Sequence, residues 1–190
     1  MARDQIQRSD LAGDPPRAPS TMFEISNRKV RLTSFNPRSE ANGEGKRLAA
    51  DLKVAATLEQ HALDAFDRDL RLWLFAPGAD GTGDLADQVH PAPNVRQPDI
   101  KPEYAWVKQY AGYQLHVPHG ITGERDLVIS DCLFNAIKFA PQDGGMIIVT
   151  FRLQFHPTEE QAGKLAGMID EVRDVSLLAP EGAEEVVGKE

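Results

Sequence analysis

The chain has 190 residues, 41% of them hydrophobic, with a formal net charge of -8 and a single cysteine. That length suits one domain with tails better than two, and the apolar share is ordinary for a packed core. No apolar run approaches the roughly 20 residues of a membrane-spanning helix. The lone Cys132 cannot close an internal disulfide, and an acidic chain is a poor match for broad duplex binding, which rests on phosphate neutralisation.

Residues 1–21 mix Pro, Asp, Arg and Ser without period and lack a signal-peptide core, so a disordered tail on a cytoplasmic protein is expected. One domain is expected over residues 22–179. Between residues 22 and 57, seven cations (Arg28, Lys29, Arg31, Arg38, Lys46, Arg47, Lys53) face four carboxylates (Glu24, Glu40, Glu44, Asp51), a basic segment in an acidic protein. Lys29 to Phe35 alternates as a strand, with Val30 and Leu32 opposite Arg31 and Thr33. Asn36 to Lys46 (NPRSEANGEGK) predicts a polar loop. Alternation resumes from Ala49 to Ala56, so the two strands are expected to pair around a long, basic-rimmed loop.

Thr57 with Gln60 three residues on predicts a capped helix carrying Leu58, Ala62 and Phe66 on one face. Asp67 is expected to cap a second short helix with Leu70, Trp73 and Leu74 as its stripe. Residues 76–103 predict a long Pro/Gly/Asp loop. Tyr104 to Val107 and Tyr113 to Val117 read as strands, with Gly112 marking a bend. The strand from Leu127 to Phe139 loses its apolar phase near Asn135, which predicts a bulge. Asp143-Gly144 then signals a hairpin turn.

Ile147, Val149, Phe151, Leu153 and Phe155 make the cleanest period-2 stretch, predicting a core face opposite Thr150, Arg152 and Gln154. Pro157 ends that strand. Thr158 with Gln161 predicts a capped helix to Val172, with Ala162, Leu165, Ala166, Ile169 and Val172 as its buried stripe, and Asp174 to Leu178 predicts a last strand. Residues 180–190 form an acidic tail. The expected fold is α+β: a mostly antiparallel β-sheet or sandwich of about seven strands with two or three short helices, the last helix lying on the core face of the long hairpin.

Chemistry is sparsely marked. His116 and His119 are close in sequence but have no third metal ligand, and three-residue spacing on a strand points them to opposite faces. Cys132 has no base placed beside it. The signatures of nucleotide, zinc-protease and serine-hydrolase sites are absent. No catalytic residue, metal or cofactor is therefore expected. Two features suit binding. Tyr104, Trp106 and Tyr110 are interleaved with Lys108, the mixture a single-strand surface needs, because bases stack on rings while phosphates pair with cations. Arg38, Lys46 and Arg47 rim the expected loop and suit an anionic partner.

The stretch DLVISDCLFNAIKFAPQDGGMIIVTFRLQFHPTEEQAGKL resembles a group of uncharacterised bacteriophage and prophage proteins. The likeness rests on Pro141 to Gly145, His156-Pro157 and Gly163-Lys164-Leu165, with RLTSFNPRSEANGEGKRLAADLKV upstream, and spans about residues 23–180. It implies a phage protein of an early region concerned with DNA metabolism, with no catalytic residues to assign. The expected function is non-enzymatic: binding single-stranded nucleic acid, or a protein of DNA replication or recombination. The alternatives are an inhibitor of a host defence nuclease, anti-CRISPR-like or a DNA mimic, and a virion or assembly component. A homo-oligomer fits either, and no membrane partner is expected.

Overall fold

Period-2 burial decides the architecture. Along the strand Met146–Phe155, Ile147, Val149, Phe151, Leu153 and Phe155 are buried while Ile148, Thr150, Arg152 and Gln154 stay partly open. The computed structural model describes residues 22–43, 45–76, 93–101, 103–120, 123, 125–180 and 185–186. The expected 1–21 tail, residues 77–92 of the expected loop, and most of the acidic tail lie outside the described residues.

The elements in order are β1 (Ile25–Asn42), β2 (Gly45–Glu59), a 3-10 helix (Gln60–Ala65), α1 (Leu70–Leu74), β3 (Phe75–Ala76) and β4 (Asn94–Val95). Then come β5 (Tyr104–Trp106), β6 (Gln109–Val117), β7 (Leu127–Gln142), β8 (Met146–Phe155), α2 (Glu159–Ala166), β9 (Val172–Leu178) and β10 (Glu185–Val186). Every strand pairing is antiparallel. The order β6-β9-β1-β2-β8-β7 returns to β6, so these strands close into a barrel. The antiparallel sheet is as expected. Two facing sheets are not formed, because one sheet curls until its edges meet, which removes the unpaired edges a sandwich keeps.

Curling is helped by bulges, which bend and twist a strand locally. The β1–β2 register shifts between Leu32 and Ser34, and the β7–β8 register shifts between Asn135 and Lys138. The β6–β7 register shifts around Gly112, whose φ of +82° suits glycine. The interior is filled by rings. Phe134 lies 5.0 Å from Tyr113, 5.0 Å from Phe151 and 5.6 Å from Phe23, centroid to centroid. The buried Tyr113 hydroxyl donates to the Phe23 carbonyl at 3.0 Å, satisfying the polar end of an otherwise apolar ring.

Antiparallel alternation places the β1–β2 tip, α2 and the β6–β7 connection at one end of the barrel. The 3-10 helix, α1 and the β7–β8 turn lie at the other. Leu165 and Met168 close the first end; Leu63, Phe66, Leu74 and Phe75 close the second.

Three expectations change. Residues 36–46 are not a loop: Asn36 to Asn42 stays paired with Asp51 to Gly45, and from Arg38↔Ala49 onward, past the end of β8, the pair runs on as a two-stranded arm. Pro37 is tolerated there because β9 pairs with β1 only as far as Arg31, leaving one side of β1 without a ladder. Thr57 caps no helix. It pairs with Ile148, since β2 continues along β8 to Glu59↔Met146, and the chain turns into the 3-10 helix only afterwards. The last helix does carry the Thr158–Gln161 capping box but ends at Ala166. Asp170 N–H then donates to Leu32 C=O and Leu32 N–H to Glu171 C=O, drawing the chain back toward β1. Val172 therefore starts β9 and is exposed, and α2 plugs a barrel end instead of lying on the hairpin, whose core face is the barrel interior.

Candidate nucleic-acid interface

The outer face of β1, β2, β8 and β7 carries a band of polar side chains. Asp51 is opposite Gln154, and Lys53 is opposite Arg152. Arg152 is opposite Asn135, and Thr150 is opposite Lys138. Ser34 and Asn36 continue the band on β1 through their pairing with Lys53 and Asp51. Of these, Ser34, Asn36, Asp51, Lys53, Lys138, Thr150 and Arg152 line a pocket of about 260 Å³.

One hydrogen-bonded chain crosses all four strands. Arg38 donates to Glu40 at 2.8 Å and to Asp51 Oδ1 at 2.5 Å. Gln154 donates to the same Asp51 oxygen at 2.9 Å, Asn135 donates to Gln154 Oε1 at 2.7 Å, and Arg152 Nε donates to Asn135 Oδ1 at 2.9 Å. Asn135, although it faces outward, is only 6% exposed because Arg152 and Gln154 seal it. Partial burial pushes the Asp51 carboxyl up, but the Arg38 and Gln154 donors and the Arg38 and Arg152 charges outweigh it and hold the group below its ordinary value. The Asp51 and Glu40 carboxylates raise Arg38 in return.

Sequence reasoning singled out Arg38, which belongs to this network, and Lys46 and Arg47, which stand exposed near the arm tip with Arg47 opposite Glu40. Tyr104, Trp106 and Tyr110 are elsewhere. Tyr104 and Trp106 pair with Phe139 and Ile137 on β7 and turn toward the core side. Trp106 packs on Phe66 (5.9 Å) and Phe139 (6.2 Å), and its Nε1 donates to the Tyr110 hydroxyl at 3.0 Å. Tyr104 meets the exposed Trp73 at 4.9 Å, and Tyr110 stacks on Phe134 at 6.1 Å. Lys108 lies over the Trp106 ring at 5.9 Å. The aromatic segment and the arm tip thus occupy opposite ends of the barrel.

The pocket residues that sequence reasoning did not single out as binding residues are Ser34, Asn36, Asp51, Lys53 and Lys138, with Thr150 and Arg152 noted only as part of an open face. The available signal was period-2 placement on strands, which fixes the face of each residue but not which strands become neighbours.

Elsewhere, His116 Nε2 meets Asp126 Oδ2 at 2.9 Å, and the other Asp126 oxygen accepts the His119 N–H at 2.8 Å. Among the described residues no group of three or more His, Cys, Asp or Glu is placed to hold a metal. Burial pushes the Cys132 thiol up to about 12, which keeps it a poor nucleophile. No helix among the described residues is long and apolar enough to cross a membrane. Comparison with protein-family models, curated proteins and solved structures gives no match.

Proposed function

We propose that this protein is a non-enzymatic accessory protein that binds single-stranded nucleic acid along the outer face of β1, β2, β8 and β7. The observation that carries this reading is the gathering of Arg38, Lys53, Lys138 and Arg152 on one face, continued on the arm by Arg47, while the neighbouring Lys46 faces the other side of the arm. Lys138 is paired with Glu103 at 2.8 Å and Arg38 with Asp51, whereas Lys53 has no ion-pair partner among the described residues. The rest of the acidic chain repels phosphate and confines a strand to this band. A single strand bends to follow a barrel wall; a duplex, with a persistence length of about 150 base pairs, does not. In this reading Tyr104, Trp106 and Tyr110 hold β5 and β6 onto the barrel. The resemblance to uncharacterised phage and prophage proteins, which implies an early gene region concerned with DNA metabolism, agrees with such a role.

A second reading has one observation of its own. Leu72, Trp73, Ile100 and Val107 are 62%, 59%, 59% and 93% exposed, apolar side chains available to a protein of DNA replication, recombination or host defence.

Fluorescence anisotropy with a labelled oligothymidylate of roughly 20 nucleotides, longer than one barrel's site, tests the first reading. Wild type is expected to bind with a salt-dependent affinity, and Lys46→Glu with Arg47→Glu to weaken it at least tenfold. An absence of binding at low salt sinks the reading. Trp106→Ala is an unsuitable probe of contact, because it removes a ring packed on Phe66 and Phe139.

A further inference from the structure

The geometry points to a subsite for one phosphodiester in the pocket between Lys53, Thr150 and Arg152, an assignment that rests on the single-strand reading above. At about 260 Å³ the pocket lies below the 300–1,000 Å³ typical of sites that enclose a whole ligand, so it suits one group of a longer molecule. Apart from Lys138, which is paired with Glu103, its donors keep free capacity. The Lys53 ammonium and the hydroxyls of Thr150 and Ser34 have no side-chain partner among the described residues. Arg152 uses its Nε on Asn135, and its Nη1 is 4.0 Å from Asp51 Oδ2, beyond hydrogen-bond reach. A guanidinium fixed through Nε presents its two terminal nitrogens as a fork, the arrangement that matches phosphate oxygens.

One carboxylate lines the pocket, and it does not forbid an anion. Asp51 Oδ1 already accepts from Arg38 and Gln154, and both flanking arginines offset its charge. Its role is to position: Asp51 holds Gln154, Gln154 holds Asn135, and Asn135 holds Arg152.

The bulge in β7 builds the pocket. In an uninterrupted strand, residues three apart face opposite sides, so with Asn135 outward Lys138 would point into the barrel. Ala136, at φ +49°, is the extra residue between the pairs Asn135↔Arg152 and Lys138↔Thr150. It returns Lys138 to the outer face, beside Thr150 and Arg152 on the pocket wall. A left-handed backbone is unfavourable for alanine, and such strain tends to sit where it serves a site.

The test is the anisotropy titration with oligothymidylate on folded variants of matched thermal midpoint. Thr150→Val removes a hydroxyl and no charge. Arg152→Lys keeps the charge and removes the fork. Lys53→Ala removes one cation. The expected result is a 3- to 10-fold weakening for Thr150→Val and about 5- to 20-fold for each of the other two, because a hydrogen bond to a charged group is worth more than one between neutral groups and solvent recovers part of the loss. Lys53→Ala is also expected to lower the salt slope by about 0.7, one phosphate contact on a single strand. If wild type binds but all three variants match it, the subsite is wrong and the strand runs elsewhere on the protein. If wild type does not bind, the single-strand reading falls and takes the subsite with it. Equal displacement of the oligonucleotide by polyglutamate of matched charge overturns the phosphate assignment in favour of an acidic protein partner.

Discussion

Ala136 and Asp126 show how single residues shape the surface of this barrel. Ala136 adopts a backbone that alanine resists, and in return two polar side chains three positions apart share a face. Asp126 ties the β6–β7 connection by accepting the His119 N–H and meeting the His116 ring. The His119 amide first, and then His116, hold its carboxyl below the ordinary value of 3.8. A group depressed on folding stabilises the fold above its unfolded value, and that contribution disappears as pH falls through the folded value. Asp126→Asn is therefore expected to lower the urea midpoint near pH 6, and the difference is expected to shrink as the pH falls below 3.8 and through the depressed folded value. Parallel curves for wild type and variant across that range would show that the Asp126 charge is not what ties the connection.

At the scale of elements, turns and extensions set what the barrel presents. The β7–β8 turn covers Asp143–Gly145, with Gly144 and Gly145 both in left-handed backbone. Gly145 has φ +72°, and a Cβ there would stand 2.9 Å from Pro93 Cγ. Gly145→Ala thus meets a backbone penalty of about 1–2 kcal/mol and a clash with a rigid ring. Its unfolding free energy is expected to fall by at least that amount, measured in urea; Gly144→Ala, with open space around its Cβ, is expected to fall by less. The arm is the other determining element. Its strands run past the barrel on Arg38 to Asn42 and Gly45 to Ala49, and its outer positions are charged. Such residues do not bury enough apolar surface to fold alone, so the arm persists as a continuation of ladders already formed in the barrel. Read without those ladders, the same eleven residues look like a loop.

For the whole molecule, closure is the decisive event. Phe134 sits where rings from β6 and β8 meet Phe23, so it links walls that are distant in sequence. Phe134→Ala is expected to cost about 3–5 kcal/mol, a large part of the roughly 5–15 kcal/mol that holds a domain together. A guanidinium melt monitored by Trp fluorescence checks it, and a loss below about 1 kcal/mol would mean that the rings are not a shared core. The Lys53 and Arg152 face is expected to retain its oligonucleotide affinity in that variant under conditions where it is folded, since Phe134 points inward.

The amino-acid sequence by itself determined the strands with clean alternation, the bulge near Asn135, the Thr158 capping box and the antiparallel class. Each follows from spacing and side-chain type over a few residues. Only the tertiary structure decided that the sheet closes, that the arm is strand, and that the aromatic segment lies on the core side at the end away from Lys46 and Arg47. The candidate site was legible only in pieces. Thr150, Arg152 and Gln154 were visible as an open face. Their meeting with Asp51, Lys53 and Asn135 depends on β2 and β7 flanking β8. Strand order is fixed by how curved walls pack around shared rings, which is a property of the whole chain, and local periodicity carries no record of it.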